Sequence, residues 1–182
     1  MTESLIAPIA RARFVVTLPP ESSQIAERLA VTAKESFTSL TDTKDAFRHL
    51  ARRARERLVI LTPYIDEAGA AWAAELFEQT PAATRTLVLR GSSQLNHCGA
   101  AGTRLRDLAT QLLDYELSSM DGIETFHAKV VLADGVAAYV GSANFLYRSR
   151  EKNLECGFLL DGEAVRPVAV LIEALLSLPG LK

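Results

Sequence analysis

The sequence predicts an α/β fold: a mixed β-sheet flanked by helices on both faces. Three observations predict it. Segments of strand character alternate with segments of helical period along the chain, which is the pattern of α/β proteins. Residues 58–64 (LVILTPY) are apolar without alternation, as in a strand covered on both sides. Asp134-Gly135 stands between two apolar runs, AKVVLA and VAAYVG, a strong signal for a tight antiparallel hairpin.

The elements follow in order. Residues 13–19 (RFVVTLP) read as a short strand stopped by Pro19-Pro20. Residues 23–32 have helical spacing through Ile25, Leu29 and Ala33. Residues 36–43 are rich in capping and turn residues. Thr43 is the expected cap of a helix running to about Arg57, with Phe47, Leu50, Ala51 and Ala54 on one face. After strand 58–64 come a helix at about 67–79 and a strand at 84–90 (TRTLVLR). Residues 91–102 (GSSQLNHCGAAG) read as a loop, and Leu105, Leu108, Ala109 and Leu112 mark the next helix. The Asp134-Gly135 hairpin, a strand CGFLLD and a last helix at about 163–177 complete the chain. No internal repeat or low-complexity tail is evident. Residues 1–45 read as an N-terminal strand and helix of the same domain, and 46–182 as its main, catalytic part.

Composition sets limits on function. Hydrophobic residues make up 48% and charged residues 23% of 182 residues, near globular norms. No apolar run approaches the ~20 residues of a membrane helix, so no membrane partner is expected. The start lacks the order of a secretory leader: Glu3 comes early, and Arg11 and Arg13 follow the apolar stretch. The expected location is cytoplasmic. Cys98 and Cys156 form neither a disulfide framework nor a metal pattern. His97-Cys98 lacks further ligands, so no metal and no cofactor are expected. The formal net charge is −2, where a strongly basic chain would point directly to nucleic acid.

Chemistry concentrates in one stretch of 18 residues, H-x-K-x4-D-x6-G-S-x-N, formed by His127, Lys129, Asp134, Gly141, Ser142 and Asn144. The run FHAKVVLAD has strand character, and side chains two apart share a face. The hairpin returns the chain toward His127 and ends at Gly141-Ser142, where glycine permits close approach of a ligand. Ser142 and Asn144 are then expected above His127 and Lys129. A tetrahedral phosphate needs such convergent donors and a positive charge. Asp134 is read as structural, because a hairpin turn explains it.

These residues resemble the HKD motif of the phospholipase D superfamily. The resemblance covers residues 126–160 in detail and reaches loosely back to RLVILTPYID. It includes an acidic residue in an N-x-E context, Asn153-Leu-Glu155. It implies a phospholipase D-like α-β-α sandwich. It also implies a metal-independent phosphodiesterase in which His127 forms a phosphohistidine, covalent catalysis in two steps. Glu155 would accept a hydrogen bond from the far nitrogen of the His127 ring, Lys129 and Asn144 would hold phosphate oxygens, and Ser142 would support that network. The family chemistry uses two histidines, and neither His49 nor His97 lies in an H-x-K context. The second is therefore expected from a homodimer mate, since two-fold dimers are the commonest closed assembly.

Substrate readings start from the cations. Arg52, Arg53, Arg55 and Arg57 read as a solvated face with local ion pairs. Arg148, Arg150 and Lys152 follow the hairpin and are candidate contacts to flanking phosphates. The stretch 91–104, with Arg90 and Arg104 at its ends, is either a cleft wall or a surface connection. Phe145 and Tyr147 either stack on a base or belong to the core or rim. A nuclease acting on DNA or RNA is favoured. The alternatives are a phospholipid or small-phosphodiester hydrolase or transferase, and a non-catalytic subunit of a larger complex. Residues 24–65 also resemble a segment of some HKD proteins of anti-phage loci, which implies protein partners in a multi-subunit system.

Overall fold

A computed structural model describes residues 10–32, 42–120, 122–179 and 181. The elements are β1 (Arg11–Thr17), α1 (Gln24–Thr32), α2 (Thr43–Arg53), β2 (Arg57–Leu61), α3 (Glu67–Gln79), β3 (Thr84–Leu89), α4 (Gly99–Leu108), β4 (Gln111–Asp114), β5 (Leu117–Ser119), β6 (Gly122–Glu124), β7 (Val130–Ala133), β8 (Ala137–Gly141), α5 (Tyr147–Glu151), β9 (Glu155–Asp161) and α6 (Arg166–Leu176). Short 3-10 turns precede α4 and α6.

The fold class is α/β with a mixed sheet. Its strand order is β1-β9-β8-β7-β2-β3-β4. Strands β2, β3 and β4 are parallel, and the half from β2 through β7, β8 and β9 to β1 is antiparallel. Both faces are covered. Leu58 and Ile60 of β2, Val131 of β7 and Tyr139 of β8 point to a core shared with α2, α3 and α4. Val59, Leu61, Val130 and Leu132 point to a second core closed by Ile172 and Leu175 of α6. The unbroken apolar run of β2 is therefore a strand with two buried faces.

The structure also corrects several sequence expectations. Asp42, not Thr43, caps α2, its side chain accepting from Asp45 N at 2.7 Å. Thr43 bonds Thr17 across to β1, with its Oγ1 at 2.7 Å. Helix α2 stops at Arg53, since Ala54 is extended and Arg57 already belongs to β2. The stretch expected as a loop at 91–102 is a 3-10 turn running into α4. Gly102 makes that packing possible, because a Cβ there would lie 2.2 Å from Leu95 O. Leu112 belongs to β4, where it pairs with Leu87, not to the preceding helix. The β5–β6 ribbon was not expected. Ala33 and most of the turn-rich stretch 36–43 lie outside the described residues.

Candidate active site

The site is built on the β7–β8 hairpin. Its turn has two residues with positive φ, Asp134 at 52° and Gly135 at 71°, and Val136 N donates to Ala133 O at 3.0 Å. That is the mirror-image turn that Asp-Gly favours. The Asp134 carboxylate accepts from the backbone N–H groups of Arg55 (2.6 Å), Glu56 (3.0 Å) and Arg57 (2.7 Å). Burial alone would push its pKa up, but these three amides and the Arg57 charge outweigh it and hold the carboxyl below its ordinary value. Asp134 thus ties the hairpin to the start of β2.

The open end carries the remaining motif residues. Regular pairing begins only at Val130, so His127 and Lys129 lie in an irregular lead-in to the strand. Gly141 N still donates to Lys129 O at 3.3 Å. Lys129 is 7% exposed, and its Nζ lies 3.0 and 3.2 Å from the two nitrogens of the exposed His127 ring. The ammonium also donates to His127 O at 2.7 Å. Burial lowers the Lys129 pKa, partly opposed by the charge of Glu155.

Behind the cleft, Glu155 is buried. Its carboxylate accepts a short hydrogen bond from Ser142 Oγ and another from Asn153 Nδ2 at 3.3 Å. Ser142 Oγ in turn accepts from Cys156 N at 3.1 Å. The expected partner of Glu155 was His127; in the structure Glu155 holds Ser142 and Asn153 while the His127 ring meets Lys129. Asn144 lines the cleft, and its Oδ1 is buried without a hydrogen-bond partner.

The glycine of the motif lines the cleft and has a second task behind it. A Cβ on Gly141 would lie 2.3 Å from the Tyr139 hydroxyl, and one on Gly157 would lie 2.5 Å from the Tyr139 ring. Both glycines make room for Tyr139, which is fully buried and packs edge-on against Phe47 at 4.8 Å between centroids. Burial pushes its phenol up to about 12, so it stays neutral. The loop after Ser142 is seated on the segment following β2. Asp66 caps α3 by accepting from Gly69 N at 2.8 Å, and also accepts from Tyr147 N at 2.9 Å. A Cβ on Gly69 would lie 1.6 Å from Phe145 O, so only glycine admits this approach.

His127, Lys129, Ser142 and Asn144 therefore line one open cleft of roughly 560 Å³, with Phe14, Val140 and Phe158 on its sheet side. Arg148, Arg150 and Lys152 do not line it. Arg150 faces α3, with its guanidinium 5.5 Å above the Trp72 ring and 3.7 Å from Glu75; Arg148 and Lys152 are exposed. Phe145 is core, stacked on Phe47 at 5.2 Å, whereas Tyr147 is 48% exposed. Arg53 pairs with Asp161 and Arg57 with Glu173, and Arg104 bonds Glu78 at 2.9 Å. Two residues near His127 escaped the motif-based reading. Tyr64 meets its ring edge-on at 5.9 Å between centroids, and Arg90 Nη1 donates to Tyr64 Oη at 3.1 Å. Both follow the carboxyl ends of the parallel strands β2 and β3, where open α/β sheets gather their ligands. That rule was a usable signal.

Residues 47–175 match the family model described as cardiolipin synthase, PLD-like domain. The chain belongs to this phospholipase D-like family. Its general chemistry is that of phosphodiesters. Among solved structures, NucT from Helicobacter pylori is similar with a TM-score of 0.59 at 15% identity, covering 92% of this chain and 96% of that one. Nuc from Salmonella typhimurium, a phospholipase D family member, has a TM-score of 0.53 at 14% identity, covering 91% of each chain. Phosphatidylserine synthase of Haemophilus influenzae Rd KW20 has a TM-score of 0.52 at 15% identity, but only 38% of it is covered. At these identities the likeness is one of fold. A stretch of 71 residues is 35% identical to DISARM protein DrmC of Bacillus paralicheniformis, spanning 38% of this chain and 30% of that protein. Among the described residues no helix is long and apolar enough to cross a membrane.

Proposed function

We propose that the chain is a metal-independent phosphodiesterase acting on nucleic acid through His127. The observation that carries this reading is the convergence of His127, Lys129, Ser142 and Asn144 on one cleft. In the first step a ring nitrogen of His127 bonds to phosphorus and the P–O bond to the leaving strand breaks. Lys129 and Asn144 hold the non-bridging oxygens as charge develops. Ser142, anchored by Glu155, keeps the Asn144 loop in place. In the second step water attacks phosphorus, the P–N bond breaks and His127 is restored.

The leaving oxygen needs a proton, and a second histidine is the suited donor. His49 lies on the outer face of α2, and His97 is exposed at the end of the 3-10 turn before α4. Neither lines the cleft. The proposal therefore includes a two-fold dimer in which the mate's His127 protonates the leaving oxygen and then takes the proton of the attacking water. Phe14 and Phe158, 43% and 49% exposed and 5.5 Å apart between centroids, offer an apolar face beside the cleft that such a mate would cover. NucT and Nuc, which match this chain over nearly their whole lengths, fit the reading of a small one-motif unit. A second reading, work within an anti-phage assembly, is supported by the stretch shared with DISARM protein DrmC.

The test is cleavage of single- and double-stranded DNA and RNA in excess EDTA, with His127→Ala alongside and the oligomeric state measured in the same buffer. Cleavage that survives EDTA and disappears in the variant is expected. A fully active monomer would refute the dimer. Inert nucleic acids, with turnover of phospholipid instead, would refute the nuclease.

A further inference from the structure

Tyr64 is held in a way its burial does not require. Its ring is 40% exposed, yet the backbone on both sides is clamped by one side chain. Gln94 Nε2 donates to Pro63 O at 3.2 Å, and Gln94 Oε1 accepts from Ile65 N at 3.3 Å. Thr62 Oγ1 donates to Tyr64 O at 3.0 Å. The result is a backbone held on both sides of Tyr64, with its half-exposed ring beside the motif histidine. An exposed ring gains little from a held backbone unless something stacks on it.

Arg90 adds a charge at the same place. Its guanidinium lies 5.8 Å from the Tyr64 ring centroid and donates to the Tyr64 hydroxyl. Arg13, Arg53, Arg57, Arg104 and Arg150 each face a carboxylate. Arg90 donates to a phenol, with no carboxylate in salt-bridge reach among the described residues, and a guanidinium has further N–H groups to give.

We propose that Tyr64 and Arg90 form a rim of the cleft that takes one nucleotide next to the scissile phosphate, the base stacking on Tyr64 and its phosphate bonding Arg90. This rests on the nuclease reading above. Stacking on a side chain requires an unstacked base, so the rim selects single-stranded nucleic acid over duplex.

The experiment is fluorescence anisotropy of a labelled oligothymidylate in EDTA over a salt series, with His127→Asn as the common background to prevent cutting. Tyr64→Ala is expected to weaken binding about 5- to 150-fold, the range for one lost base stack, without changing the salt slope. Tyr64→Phe keeps the ring and should bind nearly as the parent does. Arg90→Gln removes one phosphate contact and should reduce the slope of log K against log salt by about 0.7. A duplex should be bound with no loss from Tyr64→Ala. Parent binding that Tyr64→Ala leaves intact overturns the rim alone. Absence of any binding to DNA or RNA by the parent overturns the nuclease reading as well.

Discussion

At the turn of the β7–β8 hairpin, Asp134 accepts three backbone hydrogen bonds and sits where its charge is wanted. At the open end, Lys129 is buried at a cost to its charge, its ammonium set against the His127 carbonyl and ring at the wall of an open cleft. One short motif therefore contains an end closed by backbone hydrogen bonds and an end that faces an open cleft. Polar groups closed off by backbone hydrogen bonds build a fold, whereas a cation partly desolvated beside an open cleft favours an anionic ligand. The motif joins a structural clamp to a reactive centre, and the two should respond differently to substitution.

The largest effect is expected for His127→Ala, which removes the atom proposed to attack phosphorus. Turnover should fall below detection with an unchanged circular dichroism spectrum; retained activity would dissolve the distinction between the ends. Lys129→Met should come next, with kcat down by roughly 10²–10³, the loss typical of one preorganised donor to a developing charge. Its melting temperature should hold or rise, because a desolvated ammonium has gone. A pH profile sharpens the same point. Burial holds Lys129 below an ordinary lysine, so the rate should fall on the alkaline side before the usual range near ~10.4 is reached. Lys129→Arg should carry that limb upward. Glu155→Gln acts through Ser142 and Asn153, and a loss on the order of 10- to 100-fold is expected, as for outer-shell partners elsewhere.

Asp134→Asn should have the smallest effect on rate and a clear one on stability. Loss of the charged acceptor should cost about 1.5–3 kcal/mol in urea denaturation at neutral pH. The sign with pH follows from a native carboxyl held below its ordinary value. The stabilisation is present above the unfolded pKa near ~3.9 and is lost as pH falls through the folded value. Wild type and variant should therefore converge in acid. A variant that loses turnover but not stability would move Asp134 to the reactive end.

Much of this was legible wherever local rules decide. The hairpin followed from Asp-Gly chemistry, α3 and β3 from period, and the apolar run of β2 from its two buried faces. Reading failed where distant contacts decide. The 91–102 stretch is glycine- and serine-rich, yet it is ordered by the Leu95–Gly102 approach and by Arg106 donating to Ser92 O at 2.7 Å. Spacing picked out Glu155 without showing that its carboxylate meets Ser142 and Asn153, because side-chain direction depends on how β8 and β9 align. Gly141 lines the cleft, but spacing gave no sign that it is also a notch for Tyr139. Arg150 looked like a phosphate contact and lies over Trp72.

The pairing of β1 with β9 sets an order of assembly. Thr17 stands opposite Glu155, and Arg11 opposite Asp161, so the first described strand closes the sheet against one of the last. On a ribosome β1 is made before every other described strand and must wait for β9 before it finds its neighbour. Contacts so distant in sequence are slow to form. The strand that carries Glu155 is thus sealed late, and the cleft beside it should become competent only after β9 has been made and paired with β1.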